Sequence, residues 1–224
     1  MAPTYFRREP GIDAPTAIAA PRSSLHISMS GPAAVDQIKA RLRGEAIARR
    51  GALPPDTRAA AAQAIAARPF PVGISADAIV SGFMPLKSEI SPIPLMRKLA
   101  DAGARLALPV VAGRGKPLVM RVFAFGQPLI AGVWGIREPG PDAPEVLPDI
   151  VLAPLLAFDR SGYRVGYGAG YYDMTITALR AQKPTVAVGI AFAAQEIAAV
   201  PRTDRDARLD LVLTEREVID CRAS

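Results

Sequence analysis

With one histidine and one cysteine in 224 residues, the chain has little of the usual nucleophilic machinery. The histidine, His26, lies in a stretch without periodicity and reads as a loop residue. Ser-His-Asp triads, histidine-rich metal sites and histidine general bases therefore drop out. Cys221 has no partner, so no internal disulfide can form, which suits a reducing compartment. No histidine is placed to activate Cys221, so it reads as a structural thiol rather than a nucleophile. No apolar run approaches the ~18 residues that a membrane helix needs. The chain is accordingly read as soluble, without a membrane partner. Chemistry is left to carboxylates, cations, backbone amides and a bound cofactor.

What is present points to a globular domain. Half of the residues are hydrophobic, enough for a sizeable core. The net charge is +6, and it is uneven. Residues 1–70 hold ten Lys/Arg against five Asp/Glu, and the remainder hold seventeen against sixteen. Such a bias suits an anionic partner, and equally a proteome rich in arginine. Nucleic acid is not expected. A basic surface for it needs interleaved aromatics, and the first 70 residues contain only Tyr5, Phe6 and Phe70. Residues 1–30 are rich in Pro, Ala, Ser and Arg without periodicity, and read as a disordered extension. No apolar segment follows their arginines, so they are not a secretory signal, and Met29 offers an alternative start. Residues 31–224 are then one domain.

Periodicity predicts the elements. Val35, Ile38, Leu42 and Ala46 recur at helical spacing between Ala33 and Arg50. A second helix follows Pro54-Pro55-Asp56 and runs through Arg68, with Asp56 at its cap or first turn. Strands are expected at Ala78–Phe83, Arg105–Val111, Leu118–Phe125, Ile150–Leu156, Thr185–Phe192 and Leu209–Leu213. Helices are expected at Pro94–Ala102 and Tyr171–Ala181. Strands that alternate with helices, several of them apolar on both faces, indicate an α/β domain with a mostly parallel sheet. Gly126–Pro148 holds five prolines and four glycines and reads as a long loop or a set of short excursions.

Five segments can carry chemistry. In Ala157–Asp173, Gly166, Gly168 and Gly170 alternate before a helix, between Arg160, Arg164 and Asp173. A glycine-rich turn opening a helix can cradle phosphate with free amides, and a carboxylate at the helix start can hold magnesium. The spacing is neither the dinucleotide fingerprint nor the Walker loop, and three glycines alone suit a structural turn equally well. Lys39 and Arg43 stand four apart on the first helix, with Arg50 nearly on the same stripe. Their alternative is a solvated face. Trp134, in a Gly/Pro loop, is either a packing residue or an aromatic wall for a flat heterocycle. Asp210 sits in a strand pattern, where a carboxylate is costly unless paired, metal-bound or turned to solvent. Glu89 follows a strand end, where ligand sites of open α/β sheets collect, and helix capping is its plainer role.

Together these segments resemble the 5-formyltetrahydrofolate cyclo-ligase (5,10-methenyltetrahydrofolate synthetase) family over roughly residues 36–215. The family pattern runs in order. It has Lys-x-x-Leu-Arg at Lys39, Leu42 and Arg43, a strand-end glutamate at Glu89, and Trp-Gly-Ile-x-Glu-Pro from Trp134 to Pro139. Next comes Phe-Asp-x-x-Gly-x-Arg-x-Gly-x-Gly-x-Gly-Tyr-Tyr-Asp from Phe158 to Asp173, and then Asp-x-x-x-Asp at Asp206 and Asp210. The chain differs from the common pattern at Ala169, Met174 and Arg205.

The resemblance implies a three-layer α/β sandwich related to the sugar-phosphate isomerase and CoA-transferase group, acting as a cytoplasmic monomer on a small folate. It implies ATP as co-substrate, bound by Lys39, Arg43, Arg164, Gly166, Tyr167, Gly168, Ala169, Gly170, Tyr171 and Tyr172. Folate would meet Met84, Glu89, Trp134, Tyr167, Gly168, Gly170 and Tyr171, and magnesium would meet Asp173 and Asp210. The implied reaction phosphorylates the formyl oxygen, after which N10 attacks and phosphate leaves. No general base is assigned. The alternatives are a related ATP-using enzyme or an inactive relative on the same scaffold.

Overall fold

Prolines punctuate the first helices. In the computed structural model, which describes Met1 and residues 32–222, helix α1 spans Pro32–Gly51 and α2 spans Pro55–Ala67. Each opens on a proline, whose missing N–H costs nothing in a first turn. The expectations for residues 1–30, including the loop position of His26, lie outside the described residues. Strand β1 (Ile79–Ser81) leads to α3 (Ile93–Asp101). Gly103 then takes a φ of 97° and releases the chain into β2 (Arg105–Val110) and β3 (Val119–Phe123).

The proline- and glycine-rich stretch is a set of short excursions, among them the two-residue strands β4 (Ile130–Ala131) and β5 (Arg137–Glu138), which pair antiparallel. Strand β6 (Ile150–Ala153) is followed by a small hairpin of β7 (Ala157–Phe158) and β8 (Arg164–Val165), then by α4 (Tyr171–Arg180). Strands β9 (Val186–Ile190), β10 (Leu211–Leu213) and β11 (Val218–Asp220) complete the order.

The main sheet runs β11-β10-β9-β6-β1-β2-β3. Its pairs from β10 to β2 are parallel, and β3 and β11 add antiparallel edges. The period of two along each strand divides two cores. Ile150 and Leu152 of β6, Val188 and Ile190 of β9, and Leu211 and Leu213 of β10 face α2 and α3. Val151, Ala153, Ala187 and Val212 face Ile176 and Leu179 of α4. All four residues of β6 are buried, as a central strand covered on both sides requires. This is the expected three-layer α/β sandwich.

Helix α1 belongs to neither outer layer. It packs across β7, β8 and the short 3-10 turn Ala193–Gln195, with Leu42 and Ala46 against Leu156, Val165 and Val200. It therefore lies over the carboxyl edge of the sheet. Among the described residues no helix is long and apolar enough to cross a membrane.

Leu152 is fully buried where β6 meets the α2–α3 layer. Leu152→Ala is expected to lower the unfolding free energy by about 3 kcal/mol through lost burial and a residual cavity. Urea unfolding should show a lower midpoint with an unchanged slope.

Candidate active site

The carboxyl ends of β1 and β6 open into the segments that carry the polar side chains, as expected for an open α/β sheet. From β6 the chain makes the β7–β8 hairpin. Asp159 builds its turn, with Oδ1 accepting from the Ser161 and Tyr163 amides and Oδ2 from the Val200 amide. Arg160, at the tip, pairs with Glu196 and Glu217. It is part of a surface network and does not flank the glycine loop.

The loop itself needs two of its three glycines for backbone reasons. Gly168 has φ 100° and Gly170 has φ 71°, a region that side chains resist. A Cβ on Gly168 would also stand 3.1 Å from the Arg43 guanidinium carbon. Gly166 has neither restriction. Gly170 is the N-cap of α4, and the first bond into the helix runs from the Met174 amide to the Gly170 carbonyl at 3.0 Å. The amides of Tyr171, Tyr172 and Asp173 precede that bond and form the positive end of the helix.

Helix α1 turns Lys39, Arg43 and Arg50 inward and leaves Arg41 and Arg49 exposed. Lys39 is 7% exposed and Arg50 is 2% exposed, so the stripe is not a solvated face. Each cation has its own partner. Lys39 Nζ bonds Asp206 Oδ1 at 2.5 Å, Arg43 Nε donates to the Gly166 carbonyl at 2.9 Å, and Arg50 Nη2 donates to the Tyr167 hydroxyl at 2.5 Å. The helix thus grips the glycine loop along its length. Burial opposes ionisation of Asp206, but the bonds from Lys39 and Thr203 win and hold its carboxyl below the usual range.

Arg164 points into the protein. Its Nη1 donates to the Ala207 carbonyl at 2.7 Å and its Nη2 to Asp173 Oδ1 at 2.8 Å. Burial lowers its pKa against the pull of Asp173, Asp206 and Tyr172. It anchors Asp173 from behind. The Ala207 amide also donates to Asp173 Oδ1, at 3.0 Å. Both bonds fall on one oxygen, which leaves Oδ2 open among the described residues.

The structure does not bring Asp210 to Asp173. Asp210 precedes β10, at the amino edge of the sheet. Its Oδ2 accepts from the Ala187 amide and from Arg180 Nη2, both at 2.7 Å. Arg180 ends α4 seven residues after Asp173, about 10 Å along the axis. The carboxylate brought to Asp173 is instead Asp206, four residues earlier, through Ala207, Arg164 and Lys39. Strand direction decides this, since Asp210 stands just before β10 and bonds Arg180 at the end of α4, whereas Ala207, next to Asp206, bonds Asp173 at its start. Among the described residues there is no cluster of three or more His, Cys, Asp or Glu side chains able to hold a metal.

Glu89 meets the glycine loop at Tyr167, and Trp134 meets Tyr171. Glu89 does not cap α3, and its Oε2 accepts the Leu86 amide at 2.7 Å. Burial raises its pKa, while that amide, Arg50 and the Tyr167 phenol pull it down. Met84 is half-buried beside the first core. Trp134 is 65% exposed, at a φ of 58°. It meets Tyr171 edge-on, with ring centroids 6.1 Å apart, so it is a surface aromatic and not a packing residue. Loss of hydration pushes the Tyr172 phenol well up, with Glu89 adding to the rise and Arg164 opposing it.

The Lys39–Asp206 pair should show in the pH dependence of stability. A lowered folded-state pKa adds stability above the unfolded value, and that stability is lost as pH falls through the folded one. The gap in Tm between the parent and Asp206→Asn is expected to be full at neutral pH. It should close as the pH drops below the ordinary aspartate value of 3.8. A gap that persists in acid would deny the pair its electrostatic role.

Residues 35–215 match the model of the 5-formyltetrahydrofolate cyclo-ligase family. The chain is 35% identical to the 5-formyltetrahydrofolate cyclo-ligase of Mycolicibacterium smegmatis over 161 residues, 67% of this chain and 80% of that protein. It is 33% identical to the enzyme of the same name from Escherichia coli K12 over 178 residues, 76% and 96% of the two chains. Its fold is similar to the NMR structure of Aquifex aeolicus 5,10-methenyltetrahydrofolate synthetase. That match has a TM-score of 0.68 and 27% identity, over 83% of this chain and 93% of that one. With motifs, fold and relatives in agreement, the chain belongs to the 5-formyltetrahydrofolate cyclo-ligase family.

Proposed function

We propose that the protein closes 5-formyltetrahydrofolate to 5,10-methenyltetrahydrofolate, using ATP and magnesium and releasing ADP and phosphate. The observation that carries this reading is the division of one site by the glycine loop. On one side stand Lys39, Arg43, the amides at the start of α4, Asp173 and Asp206, a set suited to phosphate. On the other stand Met84, Glu89, Tyr167, Tyr171 and Trp134, a set suited to a flat heterocycle with N–H donors. The same reading takes the protein as a cytoplasmic monomer.

Asp173, with one carboxylate oxygen open, and Asp206 nearby suit magnesium, which takes most of its ligands from phosphate and water. When bound, magnesium neutralises charge on the phosphates and favours transfer. Lys39, released from Asp206, and Arg43 hold the triphosphate. The amides of Gly168 to Tyr172 follow the transferring group. Arg164 serves this function by fixing Asp173 rather than by touching phosphate.

Catalysis on this reading is positioning and charge stabilisation. The formyl oxygen takes the γ-phosphoryl group, which turns a poor leaving group into a good one. N10 attacks the formyl carbon and gives up its proton, the carbon–oxygen bond breaks, and inorganic phosphate departs. No side chain is assigned as the base.

Absorbance at the methenyl-folate band tests the reaction. Protein with 5-formyltetrahydrofolate, magnesium and ATP should show a rise that is absent without ATP. A flat trace from folded protein that binds ATP would favour a related ATP-using or inactive protein on the same scaffold. Asp173→Asn keeps an acceptor for the Ala207 amide and removes the charge, and it should lower kcat by about a hundredfold or more. Asp210→Asn should leave kcat within about threefold and act on stability instead, because its bonds are to Arg180 and Ala187. The opposite ranking of the two variants would return the metal to Asp210.

A further inference from the structure

Among the described residues, one buried side-chain nitrogen has no hydrogen-bond partner, Nη1 of Arg50. Buried arginine nitrogens are rarely left so. The rest of this guanidinium is committed. Nε donates to Ser88 Oγ at 3.2 Å, and Nη2 donates to the Tyr167 hydroxyl. Nη1 faces Glu89 Oε1 at 4.0 Å, about 1 Å beyond hydrogen-bond reach. The other oxygen of Glu89 is occupied by the Leu86 amide. Oε1 therefore has a cation close by and no bond from it.

This arrangement has a chemical consequence. A carboxylate withdrawn from water tends to take up a proton, and a nearby positive charge opposes that. A full bond from the cation would also consume the oxygen that a ligand N–H needs. Arg50 supplies the charge without itself bonding the oxygen, and the Tyr167 hydroxyl, which accepts from Arg50, is the neighbouring donor to the carboxylate. The charged and titratable groups acting on Glu89 are Arg50 from α1, Tyr167 from the glycine loop and Tyr172 from α4, so Arg50 is the one cation among them.

We propose that Arg50 is a positioning residue for the folate half of the reaction: it keeps Glu89 ionised without bonding Oε1, so that the carboxylate can still accept from the folate, and it fixes Tyr167 beside it. This rests on the reading of Glu89 as a folate ligand. One guanidinium then joins helix α1, the Ser88–Glu89 turn and the glycine loop. The cation stripe is divided in function, with Lys39 and Arg43 serving phosphate and Arg50 serving the heterocycle.

The test is the pH profile of kcat/KM for 5-formyltetrahydrofolate in the full chain, for the parent, Arg50→Met, Arg50→Gln and Arg50→Lys. The folate's own ionisations are common to all four, so any displacement belongs to the protein. The acid limb should move to higher pH by about one unit or more in the two neutral variants, a tenfold loss on the limb per unit. Arg50→Lys, which keeps the charge, should return the limb close to that of the parent. An unmoved limb in folded Arg50→Met or Arg50→Gln, or a lysine variant displaced as far as they are, overturns the proposal.

Should neither neutral variant fold, folate binding by the parent and by Glu89→Gln, followed by calorimetry against pH, decides. The acid limb must vanish in Glu89→Gln, and its survival overturns the proposal. A parent that binds folate without ATP-dependent turnover would refute the proposed reaction, and the pH dependence of folate binding by the parent and the Arg50 variants, measured by calorimetry, would then judge Arg50 separately. A parent that binds no folate overturns both.

Discussion

A guanidinium taken out of water underlies the site. Arg164 is 6% exposed, and burying such a charge costs several kcal/mol unless it is paired and hydrogen-bonded. Its partners are the Asp173 carboxylate and the Ala207 carbonyl. Those partners come from the first turn of α4 and from the segment before β10. Arg164 itself is the first residue of β8. Losing the Asp173 carboxylate would leave the buried charge uncompensated, so the β8 end of the glycine loop, α4 and the Asp206 segment are held to one another. The direction of Asp173 follows from that requirement.

Three of the five cations of α1, Lys39, Arg43 and Arg50, extend the same logic. An amphipathic helix normally turns its charges to water, yet here the face with Lys39, Arg43, Ala46 and Arg50 is the face that packs. Each cation meets an acceptor from a different element, namely Asp206, the Gly166 carbonyl and the Tyr167 hydroxyl. Of the three, only Lys39 is neutralised by a bonded carboxylate before a ligand arrives. An anionic ligand must displace carboxylate from lysine, which makes recognition an exchange of ion partners rather than a simple attraction to free positive charge.

Much of the architecture was legible from pattern alone. Ile150–Ala153 is apolar throughout because both of its faces are covered, and it reads as a central parallel strand for that reason. The helix of Tyr171–Arg180 is announced by the glycine before it, and α2 by its prolines. Strand β11 was missed. Val218–Asp220 is a short antiparallel edge with one buried residue, too little alternation to register. The two-residue strands β4 and β5 were hidden in the same way inside a stretch dominated by turn residues.

For the site, the sequence by itself determined which residue types were available and where backbone freedom was needed. One histidine excluded most acid–base schemes. The alternating glycines marked a loop, and the ordered motifs marked a family. Tertiary structure decided which of these groups meet. Asp206 and Asp210 are equivalent in composition and four residues apart, but the chain crosses from the carboxyl to the amino edge of the sheet between them. Lys39 and Arg50 look like surface charges until their acceptors arrive from more than a hundred residues away. Local patterning is set by short-range sterics and burial, which a sequence displays. Ion pairing depends on long-range topology, which places charges together only when the sheet is assembled.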